Sequence, residues 1–123
     1  MQFNQDISNR EIQITSYEPG QLVIGENQYD TNTVLFNGQV FSDLLPGSID
    51  AFSIEHLQHL VELKPDVILL GTGENLIFPE SRISSYALSK QIGIEVMNSA
   101  AASRTYNVLL SESRIVLAAI FIK

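Results

Sequence analysis

Glycines placed directly after a buried strand let a backbone approach a ligand closely and expose N–H donors, and Gly71-Thr72-Gly73 follows the apolar run Val67-Ile-Leu-Leu in this way. A second block, Asn98-Ser99 followed by Arg104, Thr105, Tyr106 and Asn107, offers a helix N-terminus and a guanidinium suited to a carboxylate or phosphate. A dinucleotide fingerprint needs a further glycine where Leu76 stands, Pro79 delays the helix that should face a pyrophosphate, and Glu74 would repel it. The glycine block therefore reads either as a tight structural turn or as part of a site for another small ligand. For the second block the alternative is structural: Arg104 pairs with Glu112 or Glu95, while Tyr106 and Asn107 tie down backbone. Acid–base chemistry wants a histidine, or a carboxylate or lysine of shifted pKa, within reach of the reacting atom. His56 and His59 are expected opposite the apolar stripe of a helix, facing water beside Glu55 and Glu62, and no third ligand is fixed by spacing to make them a metal site. Lys64 and Lys90 fall near helix ends rather than in a buried pocket. Enzymatic activity is thus unsupported rather than excluded, and neither metal nor cofactor is assigned.

Both blocks need elements to hold them, and the change of hydrophobic period along the chain supplies these. Residues 1–45 read as an antiparallel meander: Ile12–Tyr17 alternates, Glu18-Pro-Gly-Gln turns, Leu22–Ile24 resumes, and Thr33–Phe36 meets Val40-Phe41 through Asn37-Gly38. Beyond Pro46-Gly47 the spacing of Ile54, Leu57, Leu60 and Val61 predicts a helix capped by Ser53 and ended by Lys64-Pro65. Val67–Leu70 is a strand buried on both faces, 81–92 a helix stopped by a left-handed Gly93, and Ile94–Met97 the next strand. Ser99 is expected to cap a helix over 100–110, and Ile115–Ile122 to form the last strand. Alternation of strand and helix over 50–123 predicts a parallel or mixed sheet with helices packed on it. If Val67–Leu70 and Ile94–Met97 are neighbours, Thr72 and Asn98-Ser99 converge at the strand ends, where open α/β sheets bind ligands.

Bulk properties narrow the function classes further. A chain of 123 residues, 45% of them hydrophobic, is long enough for one domain with its own core. The absence of cysteine excludes a disulfide framework, a thiol nucleophile and a thiolate-bound metal. A net charge of −7 repels phosphate backbones and anionic lipid head groups, so nucleic acid is not an expected partner. Residues 1–63 hold nine acidic residues and one basic one, Arg10, a distribution that reads as a solubilising surface or as a docking face for a basic partner. The longest uncharged apolar run, Ile115–Ile122, has eight residues, whereas a bilayer span needs roughly 20. Met1–Ile7 has neither the pattern of a secretory signal nor that of an organelle presequence, and a prokaryotic cytoplasmic protein without membrane insertion is expected.

Leu69-Leu-Gly-Thr-Gly, Gly93-Ile-Glu-Val-Met-Asn-Ser, Ala102-Ser-Arg-Thr-Tyr-Asn-Val-Leu and Glu112-Ser-Arg-Ile-Val occur in an order and spacing that resemble a known family. It is the small conserved family of unknown function whose eukaryotic members include mitochondrial complex I assembly factor 3. The resemblance implies a single three-layer α/β domain over 1–123, with a central mixed sheet. Gly71, Thr72, Gly73, Arg104, Thr105, Tyr106, Asn107, Glu112 and Arg114 then occupy the family's motif positions, with no established catalytic role. Ser99 stands where many relatives carry Thr, and the Trp that relatives often have near the end of the meander is missing. Two functions follow as expectations. One is a non-enzymatic interaction or assembly factor, with respiratory-complex subunits or other proteins as partners. The other is a binder of a small anionic ligand, or an enzyme, working in the crevice around Thr72, Ser99 and Arg104, with Asn98 beside it and Glu95, Glu112 and Arg114 in supporting ion pairs.

Overall fold

The structure is a computed structural model that describes residues 12–123, so the reading of Met1–Ile7 and the charge of Arg10 lie outside the described residues. Among the described residues eight strands and three α-helices follow one another. The first three strands, β1 (Ile14–Glu18), β2 (Gln21–Ile24) and β3 (Asn27–Tyr29), form an antiparallel three-stranded sheet of their own. Next, β4 (Thr33–Phe36) and β5 (Gln39–Phe41) make the expected hairpin through Asn37-Gly38, both at positive φ, but join a different sheet. The predicted single meander is therefore split. The first half lays Ile14, Leu22 and Ile24 on one face of the central sheet, whereas β4, buried on both faces with Val34 and Leu35 in opposite layers, extends that sheet by pairing with β8.

A short 3-10 turn (Ile49–Ala51) leads to α1 (Ile54–Val61), then β6 (Val67–Thr72), α2 (Ser81–Ser89), β7 (Gly93–Met97), α3 (Ser99–Ser111) and β8 (Val116–Phe121). The central sheet runs β5-β4-β8-β6-β7. Strand β6 is parallel to both β7 and β8, and β4 is antiparallel to β8, so the sheet is mixed. All six residues of β6 and all six of β8 are buried, which explains why these strands read as unbroken apolar runs rather than alternating ones.

Alternate residues of those strands enter opposite layers. Leu69, Ala118 and Ile120 pack with Ala102 and Tyr106 of α3 and with Leu22 and Ile24 of the small sheet. Ile68, Leu70, Leu117 and Phe121 pack instead with Leu57 and Leu60 of α1 and Ile83 and Ala87 of α2. Three layers result: α3 with the small sheet, the five-stranded sheet, and α1 with α2.

Helix ends differ from expectation in three places. The first helix stops at Val61, and Lys64 takes the left-handed conformation (φ 62°) that turns the chain into β6. Helix α2 stops at Ser89, and Gln91 (φ 63°), not Gly93, is the left-handed residue; Gly93 already pairs with Val67 as the first residue of β7. Asn98, not Ser99, caps α3, its Oδ1 accepting the Ala101 N–H at 2.8 Å.

Candidate functional site

Strands β6 and β7 are neighbours in parallel register, with Gly71 opposite Met97, and their following helices pack on opposite faces of the sheet. This is the strand-order arrangement that opens a crevice in ligand-binding α/β sheets. Here the crevice is occupied by the protein itself. The Ser99 hydroxyl sits between the strand ends, donating to the Phe121 carbonyl and accepting the Gly73 N–H at 2.8 Å, while the Ser99 N–H donates to the Gly73 carbonyl at 2.8 Å. A Cβ on Gly71 would lie 2.9 Å from Ser99 Oγ, 3.0 Å from Ser99 Cα and 3.1 Å from Ala102 Cβ. A Cβ on Gly73, at φ +99°, would come closer still to the carbonyl of Lys123. The first glycine lets α3 touch the sheet and the second lets the chain turn past the end of β8. The N–H of Gly73, the donor expected to face a ligand, is already engaged by Ser99.

Thr72 is buried and serves its own loop: its hydroxyl donates to the Asn75 carbonyl at 2.6 Å and accepts the Ile77 N–H at 3.0 Å. Those two bonds fix residues 73–77 in a projecting turn. On and just after it, Leu76, Ile77 and Phe78 stand 50%, 40% and 71% exposed.

The block Arg104-Thr105-Tyr106-Asn107 does not converge on this junction, because successive helical residues point about 100° apart. Arg104 is exposed and lines a shallow cavity of about 160 Å³ between α3 and residues 14–17, together with Ser103 and Asn107. Thr105 is half-buried. Tyr106 is fully buried in the core, and its hydroxyl has no hydrogen-bond partner among the described residues; burial pushes its pKa up to about 12. Asn107 clamps β1, its Oδ1 accepting the Ile14 N–H at 2.9 Å and its Nδ2 donating to the Ile14 carbonyl at 2.7 Å. Ser103 donates back along the helix to the Ser99 carbonyl at 2.8 Å.

The expected ion pairs are not formed. Among the described residues the salt bridge present joins Arg82 to Glu80 at 3.0 Å, and it includes none of Arg104, Glu95, Glu112 or Arg114. Glu112 is the C-terminal cap residue of α3 and stands exposed, as do Glu95 and Arg114, so water solvates these charges. His56 also departs from expectation. It is half-buried, stacked on Phe52 with ring centroids 5.8 Å apart, and its Nδ1 accepts the Ser53 N–H at 3.0 Å to complete a capping box for α1. His59 is exposed as expected, and among the described residues no three His, Cys, Asp or Glu side chains are grouped to hold a metal ion.

Tyr17 is the residue at the junction that sequence reasoning missed. Its hydroxyl donates to the Ile122 carbonyl at 3.3 Å, which also receives the Gly20 N–H. Burial raises the pKa of Tyr17, the negative charge of Glu74 raises it further, and the Ser99 hydroxyl acts in the opposite direction. A junction already made negative by Glu74 is a poor seat for an anionic ligand. No local signal could have found Tyr17, because its contact spans 105 residues of sequence.

Comparison with known proteins agrees with this architecture. A solution structure of XCC1710 from Xanthomonas campestris superposes with a TM-score of 0.82 at 32% identity, over 89% of this chain and 83% of that one. A 13 kDa major membrane protein of Francisella tularensis is 28% identical over 100 residues, covering 80% of each chain. NADH dehydrogenase [ubiquinone] 1 alpha subcomplex assembly factor 3 of Xenopus tropicalis is 30% identical over 76 residues, which are 60% of this chain and 42% of that protein. No helix among the described residues is long and apolar enough to cross a membrane. Residues 14–121 match the family model described as a protein of unknown function (DUF498/DUF598), and the chain belongs to that family, to which the assembly factor is related.

Proposed function

We propose that this chain is a non-enzymatic interaction factor of the cytoplasm, which holds a protein partner during assembly of a larger complex. The observation that carries the proposal is the filled crevice: Ser99 and Ala102 lie against Gly71, and Ser99 engages the Gly73 N–H, so the place where this topology would seat a substrate is protein interior. Kinship with a complex I assembly factor supports the same reading and makes subunits of a respiratory complex the first partners to look for. Nor do the family's motif residues assemble into a nucleophile and base: Tyr106 is sealed in the core, Asn107 holds Ile14, and Arg104 faces solvent. The test is affinity capture of the tagged full chain from its native host under gentle cross-linking, with proteins and metabolites both identified by mass spectrometry. A recurrent protein partner with no stoichiometric metabolite is the expected result. Recovery of a stoichiometric small molecule without a partner would overturn it.

A further inference from the structure

Resting on that reading, we propose that the projecting turn Leu76–Phe78 and the cleft beside it form the docking face, and that the occupant is a polypeptide segment with an apolar anchor flanked by lysine or arginine. Other exposed apolar side chains, Leu88, Val108 and Ile115, sit apart in the sequence, whereas Leu76, Ile77 and Phe78 are consecutive. Single exposed apolar residues are ordinary on a protein surface; a contiguous set beside a cavity marks an interaction site. The set is also held in place. Both bonds of the buried Thr72 hydroxyl, to the Asn75 carbonyl at 2.6 Å and from the Ile77 N–H at 3.0 Å, fix the turn from which these side chains project.

Behind Phe78 a cleft of about 350 Å³ runs between residues 49–53 and 77–80. Phe52, Ile77, Phe78 and Pro79 give it apolar walls, and Asp50 and Glu80 stand among them as acidic ones. An apolar hollow with a charged surround suits a buried aromatic or aliphatic anchor whose flanks are paired at the rim. The charge of that surround decides the occupant. Glu55 follows in the first turn of α1, and Glu80 is paired with Arg82 at 3.0 Å, so Asp50 is the lining carboxylate with no salt bridge among the described residues. An acidic rim on a chain of net charge −7 attracts basic flanks and repels both anionic lipid and a second copy of the same surface.

The direct test is selection of random peptides displayed on phage against the immobilised full chain, with Phe78→Ser and Leu76→Ser as comparison proteins. Both side chains are mostly outside the core, so both variants should keep the parent melting curve. Enriched peptides should combine an aromatic or large aliphatic residue with flanking Lys or Arg, and lose at least about tenfold in affinity for Phe78→Ser, equivalent to about 1.4 kcal/mol. Asp50→Lys should weaken the same peptides, and so should raising salt from ~0.05 to ~0.5 M. No enrichment, enrichment without basic flanks, or equal affinity for the variants would overturn the proposal. Flotation with phosphatidylcholine–phosphatidylglycerol vesicles that depends on Phe78 would give the patch to a membrane, and a dimer split by Phe78→Ser would give it to a second copy; either result also overturns it. Native partners captured equally by the parent chain and Phe78→Ser would remove this face while leaving the interaction reading intact.

Discussion

Gly71 is fixed by what lies against it rather than by its own conformation. Its φ is not positive, yet an added Cβ would stand 2.9 Å from Ser99 Oγ and 3.0 Å from Ser99 Cα, the second of which is backbone that cannot rotate away. Gly71→Ala should therefore push α3 off the sheet and lower stability by about 1–3 kcal/mol, the range for overpacking, measured as a shifted urea midpoint. Unchanged stability would mean that the junction is loose enough to admit a ligand after all. Tyr106 has a pH signature. Its pKa rises from 10.0 unfolded to about 12 folded, so its contribution to stability is complete below pH 10.0 and is lost as pH climbs through about 12. Tyr106→Phe removes that loss together with a buried hydroxyl that has no partner among the described residues. At neutral pH the variant should be more stable by about 1 kcal/mol, and its melting temperature should fall less steeply than the parent's on alkaline titration. Residue types alone marked Gly71, Gly73 and Ser99 as special, but their neighbours Phe121 and Lys123 are strands away, so the sequence could not say whether the glycines face a ligand or the protein.

At the scale of elements, α3 organises the layer it belongs to. Its N-terminus is locked onto β6 and β8 by Ser99, and its middle is clamped to β1 by Asn107 through paired bonds of 2.9 and 2.7 Å. Asn107→Ala should cost about 1–3 kcal/mol, because it removes the side chain that both accepts from the Ile14 N–H and donates to the Ile14 carbonyl of β1. Asn107→Asp should be at least as harmful, since a carboxylate still accepts from the Ile14 N–H but meets its carbonyl with negative charge. Hydrogen exchange read residue by residue would show it: the Ile14 amide should exchange faster in both variants, with β6 unaffected. Protection of Ile14 left unchanged would mean that the small sheet stands without the clamp. The alternating strands and helices after Val67 were legible because each carries a strong local period. The allegiance of the first five strands was not. Antiparallel hairpins look alike whether they join one sheet or two, and only the pairing of β4 with β8, some 85 residues downstream at Val34 and Ala119, separates them. The cap at Asn98 was missed for a related reason, since Asn and Ser are nearly equal as caps and Ser99 was needed elsewhere.

For the whole molecule, the three layers close the end of the sheet where the parallel strands finish and leave one apolar turn projecting from that same end. On the proposed reading this surface holds another molecule, and the acidic balance of the chain sets the sign of the charge it attracts. The family blocks were legible in the sequence, and Gly71, Ser99 and Ala102 among them lie where close packing of α3 on the sheet demands small or hydrogen-bonding side chains, whereas Arg104, Glu112 and Arg114 face solvent. The projecting turn was not, because only the bonds of the Thr72 hydroxyl show that Leu76, Ile77 and Phe78 are held outward. The measurement that tests the account most directly is native mass spectrometry of the full chain purified gently from its own host, where protein partners and small-molecule adducts register in one spectrum. The account predicts the mass of the chain alone together with complexes carrying a second, different polypeptide. A chain that flies with a stoichiometric small adduct, shed when Gly71 is replaced by Ala, would contradict it and return the strand-end junction to chemistry.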